Sequence, residues 1–170
     1  MNPLHAPAAT APMNTPVNAL ILDTNIVLDL LLFQDPQALH LQASLPLNQS
    51  LNGPQWQWIA TTAMRDELAH VLCYPHLQPR MAFYQTEAAQ ILQGFDARVQ
   101  LVEVAAPTHV RCRDGDDQKF IDLAVAHKAT LLSKDKAVLK LRKRLARLDV
   151  VVQTHLPPAA AAMPAADSVS

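Results

Sequence analysis

"GDDQKFIDLAVAHKATLLSKDKAV", residues 115–138, decides the fold. It sets two adjacent carboxylates, Asp116 and Asp117, before an amphipathic run, and a third, Asp135, just after a short apolar run. Phe120, Leu123, Ala124 and His127 recur at the i, i+3, i+4, i+7 spacing of one helix face, so "DDQKFIDLAVAHK" reads as a helix that opens on acids. "ATLLS" is short and apolar and reads as a buried strand. So much like charge in so little chain needs a reason. Two carboxylates about 4 Å apart repel by roughly 4 kcal/mol at an effective dielectric near 20, and a fold tolerates that when something positive is usually present.

The same alternation extends in both directions. Upstream, "NALILDTN" is an apolar run that delivers Asp23 at its carboxyl end, and "NIVLDLLLF" continues as an apolar helix. "QWQWIATT" reads as a second strand, after which Thr61 or Thr62 caps a helix "AMRDELAHVLCY" that stops before Pro75. "MAFYQTEAAQILQGF" reads as one further helix and "RVQLVEV" as a third strand. Downstream, "KAVLKLRKRLARL" reads as a helix with Val138, Leu141, Leu145 and Leu148 on one face, and "DVVVQT" as the last strand. Strands alternating with helices imply an α/β fold: a mainly parallel central sheet covered on both faces, a three-layer α/β/α sandwich.

In such sheets ligands sit outside the carboxyl ends of the strands. That rule gathers the acids: Asp23 ends strand one, Asp135 follows strand four, Asp117 opens the helix leading into it, and Glu67 lies near the start of the helix after strand two. Each also has a plainer reading. Asp117 complements a helix dipole, with Asp114 and Asp116 as caps; Asp135 caps the segment from Lys136; Glu67 and Asp122 are solvated helix residues. Asp23 is the sharpest signal, because a lone carboxylate at the end of a buried strand is costly unless paired or metal-bound. All-oxygen ligands suit Mg²⁺ or Mn²⁺, and two such ions about 4 Å apart activate a water and stabilise a leaving phosphodiester oxygen.

Composition narrows the alternatives. The 170 residues are 50% hydrophobic, enough for one domain with a real core, and the net charge is −1. Residues 1–17 and 157–170 are Pro/Ala-rich and are expected to be disordered tails around a folded unit at 18–156. No run of about 18 apolar residues and no basic leader is visible, which predicts a soluble, cytoplasmic protein without a membrane partner. Cys73 and Cys112 form no CxxC pair, and the seven histidines show no HxxxH or HExxH spacing, so neither a disulfide nor a zinc site is expected. Lys134, Lys136, Lys140, Arg142, Lys143, Arg144 and Arg147 are half of the 14 Lys and Arg, a local basic surface for a polyanion that doubles as an ordinary solvated helix face.

"LILDTNIVLDLLLF", "RDELAHVL" and "CRDGDDQKFIDLAVAHKATLLSKDKAVLKL" together resemble the PIN domain, in particular the VapC-like toxin branch of type II toxin–antitoxin modules. The resemblance spans about 22–152. It implies a PIN-like fold and a Mg²⁺- or Mn²⁺-dependent endoribonuclease acting on single-stranded RNA, silenced by an antitoxin protein and paired as a homodimer. Residue by residue it makes Asp23, Glu67, Asp117 and Asp135 the catalytic metal ligands, with Asp116 as a candidate fifth, and Thr24, Asn25 and Ser133 their supports. Lys119, Lys134, Lys136, Arg142, Lys143 and Arg144 are then candidates for flanking phosphates, and Trp56 and Trp58 for base stacking, although a tryptophan alternating inside a strand equally reads as core. The tails and "QASLPLNQSLNGPQ" depart from the pattern. The alternative is a non-catalytic RNA-binding or partner-binding module on the same fold. A receiver-like signalling module would need a phosphoacceptor aspartate after strand three, and "VQLVEVAAP" has none.

Overall fold

The computed structural model of the protein describes residues 18–35 and 56–156. Both Pro/Ala-rich tails and the "QASLPLNQSLNGPQ" stretch lie outside the described residues. The elements run β1 (Asn18–Leu22), α1 (Thr24–Leu31), β2 (Trp56–Ala60), α2 (Thr62–Val71), a 3₁₀ turn (Pro75–Leu77), α3 (Gln78–Phe83), α4 (Ala88–Arg98) and β3 (Gln100–Leu101). A second 3₁₀ turn (Gly115–Asp117) leads into α5 (Gln118–His127), followed by β4 (Thr130–Leu132), α6 (Lys136–Leu139), α7 (Arg142–Ala146) and β5 (Val151–Gln153).

The five strands form one sheet in the order β3-β2-β1-β4-β5, every pair parallel. The chain steps outward from β1 to β3, then returns and steps the other way from β4 to β5. Right-handed crossovers put the helices of the two excursions on opposite faces. Accordingly α1, α2 and α4 pack on one another, while α5 packs on β1 and β4 and α7 on β5. The parallel α/β architecture read from the sequence is the one the chain adopts.

With both faces covered, β1 needs no apolar/polar alternation. Leu20, Ile21 and Leu22 are all buried, and they pair in register with Thr130, Leu131 and Leu132 of β4. Trp58 of β2 is 1% exposed and meets Phe95 of α4 edge-on, ring centroids 5.0 Å apart. It belongs to the core and is closed to base stacking. Trp56 is half-buried against the same core. Thr61 caps α2, its hydroxyl accepting the Met64 N–H at 3.3 Å.

Several boundaries differ from the sequence reading. The helix expected over 81–95 is two helices, broken where Gln85 takes a left-handed φ of 52° and Glu87 and Gln90 form a capping box. The helix expected over 136–148 is divided into α6 and α7, because the Leu141 N–H bonds back to Val138 O in a tightened turn. β3 shrinks to two exposed residues on an edge, with one more ladder bond from the Val102 N–H to Ala60 O. On α5 it is Ile121, not His127, that joins Phe120, Leu123 and Ala124 in the core; His127 is exposed.

Candidate metal centre at the carboxyl edge of the sheet

β1 and β4 lie side by side where the strand order reverses, the place where open parallel sheets form a crevice. The Asp23 N–H donates to Leu132 O at 2.9 Å, so the ladder runs one residue past β1 and fixes the Asp23 backbone to β4. Ser133, fully buried, donates its hydroxyl proton to Asp23 Oδ2 at 2.7 Å and accepts the Asp135 N–H at 3.0 Å. Asp135 in turn accepts the Ala137 N–H at 2.7 Å as the N-cap of α6. Thus one hydroxyl ties the acid after β1 to the acid after β4, and Asp135 is both a cap and a member of the cleft.

Asp117 arrives from the other side, on the 3₁₀ turn before α5. Asp114 caps that turn, accepting the Asp116 N–H at 3.0 Å. One carboxylate oxygen each from Asp114, Asp117 and Asp135 lies within 4.8 Å of the other two. Asp117 is only 9% exposed, and its Oδ2 is buried with no hydrogen-bond partner. Burial, and then the charges of Asp23, Asp135 and Asp114, push its pKa up to about 7. Asp23 is raised as well, because burial outweighs the bonds from Ser133 and the Thr24 N–H while Asp135 and Glu67 add repulsion. These are acids short of positive charge.

Asp114 was read from sequence as a cap alone. The available signal was its spacing from Asp117: residues three apart eclipse on a 3₁₀ turn, so a capping acid there shares a face with Asp117. Asp116, the candidate fifth ligand, is exposed and lies outside the trio.

Glu67 sits at a second end of the cleft, half-buried on α2. Its Oε2 accepts the Thr24 hydroxyl proton at 3.2 Å and meets Lys119 Nζ at 3.0 Å. The same ammonium donates to Asp116 O at 2.6 Å. Lys119 is thus turned into the cleft, and Lys134 pairs with Asp29 of α1 at 2.5 Å. Lys136, Arg142, Lys143 and Arg144, with Lys140 and Arg147, are exposed and form no ion pair among the described residues. Asn25 is exposed in the first turn of α1.

The segment before the 3₁₀ turn is clamped to α5. Gln118 donates to Val110 O at 2.9 Å and to Asp122 Oδ1 at 2.8 Å, and accepts the Cys112 N–H at 2.7 Å. Asp122, read as a solvated face residue, is half-buried and also accepts the Thr108 N–H at 3.0 Å. Burial and the neighbouring Asp117, Asp135 and Asp114 push the Cys112 thiol up, away from thiolate chemistry.

A trio of acids, one of which carries an unsatisfied buried oxygen, fits a hard divalent cation, which takes oxygen ligands and would neutralise the clustered charge. Among the described residues no helix is long and apolar enough to cross a membrane. No curated protein and no solved structure matches the chain. The family model described as PIN domain matches residues 19–137, from β1 to the start of α6, and includes every acid of the cleft. PIN domains are in general metal-dependent nucleases. With most of its length inside that match, and a parallel α/β sheet that carries the acids on its carboxyl edge, the chain belongs to the PIN domain family.

Proposed function

We propose that the protein is a Mg²⁺- or Mn²⁺-dependent endoribonuclease that hydrolyses phosphodiester bonds of single-stranded RNA. The observation that carries this reading is the buried, unpartnered Oδ2 of Asp117, set in a trio of acids at the sheet's switch point. A carboxylate held there has no role in packing and is stabilised only by a proton or a cation. Asp117, Asp135 and Asp114 would hold the ion, with Asp23 and Glu67 completing the acidic surround. A divalent ion held by these residues would supply charge to activate a water and to offset charge building on a phosphate.

The chain's own residues do the rest. Ser133 keeps Asp23 and Asp135 in fixed relation, and Thr24 and Lys119 hold Glu67. Lys136, Arg142, Lys143 and Arg144 continue outward from Asp135 as an exposed basic surface, suited to the phosphates of a strand whose scissile bond lies in the cleft. Asn25, exposed beside Asp23, is open to the substrate or to the water shell.

The resemblance to VapC-like toxins supports the further reading that the protein is a cytoplasmic toxin restrained by an antitoxin and active as a homodimer. The test is incubation of the purified protein with mixed single-stranded RNA in EDTA, Mg²⁺ or Mn²⁺, beside Asp23→Asn and Asp117→Asn. Cleavage that needs the metal and disappears in both variants is the expected result. RNA binding without cleavage under any metal, in folded protein, would replace the nuclease by a binding module. Growth arrest on expression, relieved by a co-expressed partner, tests the toxin assignment separately.

A further inference from the structure

We infer that the cleft takes one divalent ion, at its Asp117 end, and that Lys119 supplies the second positive charge at its Glu67 end. This rests on the metal-binding reading above and fixes the number of ions, which that reading leaves open.

The two ends differ in what their oxygens lack. At one end Asp117 Oδ2 is buried without a partner, and Asp114 and Asp135 place oxygens within 4.8 Å of it or of its twin. At the other end Glu67 Oε2 already accepts from Thr24 at 3.2 Å and contacts the Lys119 ammonium at 3.0 Å. That ammonium is itself held, by Asp116 O at 2.6 Å and over the Phe120 ring at 5.2 Å from its centroid. Its side chain is 29% exposed, so its bonds are made in a half-dry setting. Two-ion phosphodiester sites need their cations about 4 Å apart, and a lysine ammonium is a compact point charge able to stand at one of those positions. A second divalent ion on Glu67 would have to expel Lys119 from three contacts.

Lys119 lies two residues after Asp117, on the same turn of chain. The helix that brings the unsatisfied acid therefore also brings the fixed cation, and a substrate phosphate meets one exchangeable ion and one tethered charge.

The experiment is a Mn²⁺ titration of the full chain, reading free Mn²⁺ by electron paramagnetic resonance, with circular dichroism confirming the fold of each variant. Wild type and Lys119→Arg are expected to bind one ion per chain. Lys119→Met is expected to bind two, and Lys119→Met combined with Glu67→Gln to return to one. Two ions of similar affinity in the wild type would overturn the inference, as would a folded Lys119→Met that still binds one. If Lys119→Met does not fold, Lys119→Gln takes its place with the same expectation of two ions, and one ion in that folded variant overturns the inference. A wild type that binds no Mn²⁺ removes the metal centre itself, and with it both readings.

Discussion

Asp96 and Asp117 are the same residue type with opposite fates. Asp96, on the exposed side of α4, receives both arms of the Arg65 guanidinium at 2.7 Å, which holds its carboxyl below the usual carboxylate range. Asp117, on the edge of the sheet, is pushed up to about 7, first by burial and then by the charges of three neighbouring acids. The first pair is a surface tie between α2 and α4, complete within the chain and screened by solvent. The second is incomplete within the chain. A folded protein keeps such an acid at a cost to its own stability, which makes the position a candidate binding site.

The contrast can be broken at several points. The largest effect is expected from Asp117→Asn, which removes the unsatisfied charge while keeping the shape. Cleavage should fall at least about 100-fold, the order lost when a group serving transition-state charge is removed, while the metal-free protein melts at a higher temperature than wild type at pH 8. A lower melting temperature there would mean that the carboxylate is stabilised by something other than a cation.

Next is the pH dependence of the metal-free wild type. The folded Asp117 value of about 7 lies above an unfolded value near 3.9. The folded state therefore keeps a proton that the unfolded state has lost between those values. This contribution is full below about pH 4 and is lost as pH rises through about 7, with a slope no steeper than about 1.4 kcal/mol per pH unit. Asp23, also raised, adds in the same direction. Urea unfolding between pH 5 and 8 measures it, and Asp117→Asn or saturating Mn²⁺ should flatten the curve.

Ser133→Ala should cost about 1–3 kcal/mol, since it strips a buried carboxylate oxygen of its donor. It should also weaken Mn²⁺ binding by about 10–100-fold by releasing Asp135 from Asp23. Calorimetry reads both. The smallest effect is expected from Arg65→Ala: a marginal change in melting temperature that vanishes in high salt, with Mn²⁺ affinity unchanged.

What the sequence made legible were the features that need only local pattern. β1, β2 and β4 are short apolar runs, Thr61 stands where a cap is needed, and Asp23 and Asp135 stand just past strand ends. The Glu87–Gln90 capping box was also there to be read, and it ends the apparent continuity of 81–95. The division of 136–148 was not legible, because no glycine or proline marks it and a single shifted hydrogen bond makes it. Nor were the partners of Lys119 and Lys134, which depend on where α2 and α1 come to lie across the sheet. Local charge runs suggested phosphate contacts for both; in the fold each is paired with an acid. Asp114 was half legible: its capping role was plain, its place beside Asp135 was not.

The link between α5 and β4 carries a last consequence. Lys128 closes the helix in the left-handed conformation, and the Ala129 N–H bonds back to Ala124 O, so a two-residue turn returns the chain directly into β4. Asp117 stands just before one arm of this hairpin and Asp135 just after the other, which makes the turn a length gauge for the pocket. A residue inserted there is either absorbed by the turn or slips β4 by one position against β1, and the slip would turn its buried side chains to the other face of the sheet. Loop length, usually the freest variable in a fold, is here tied to the register that sets Asp135 beside Asp23.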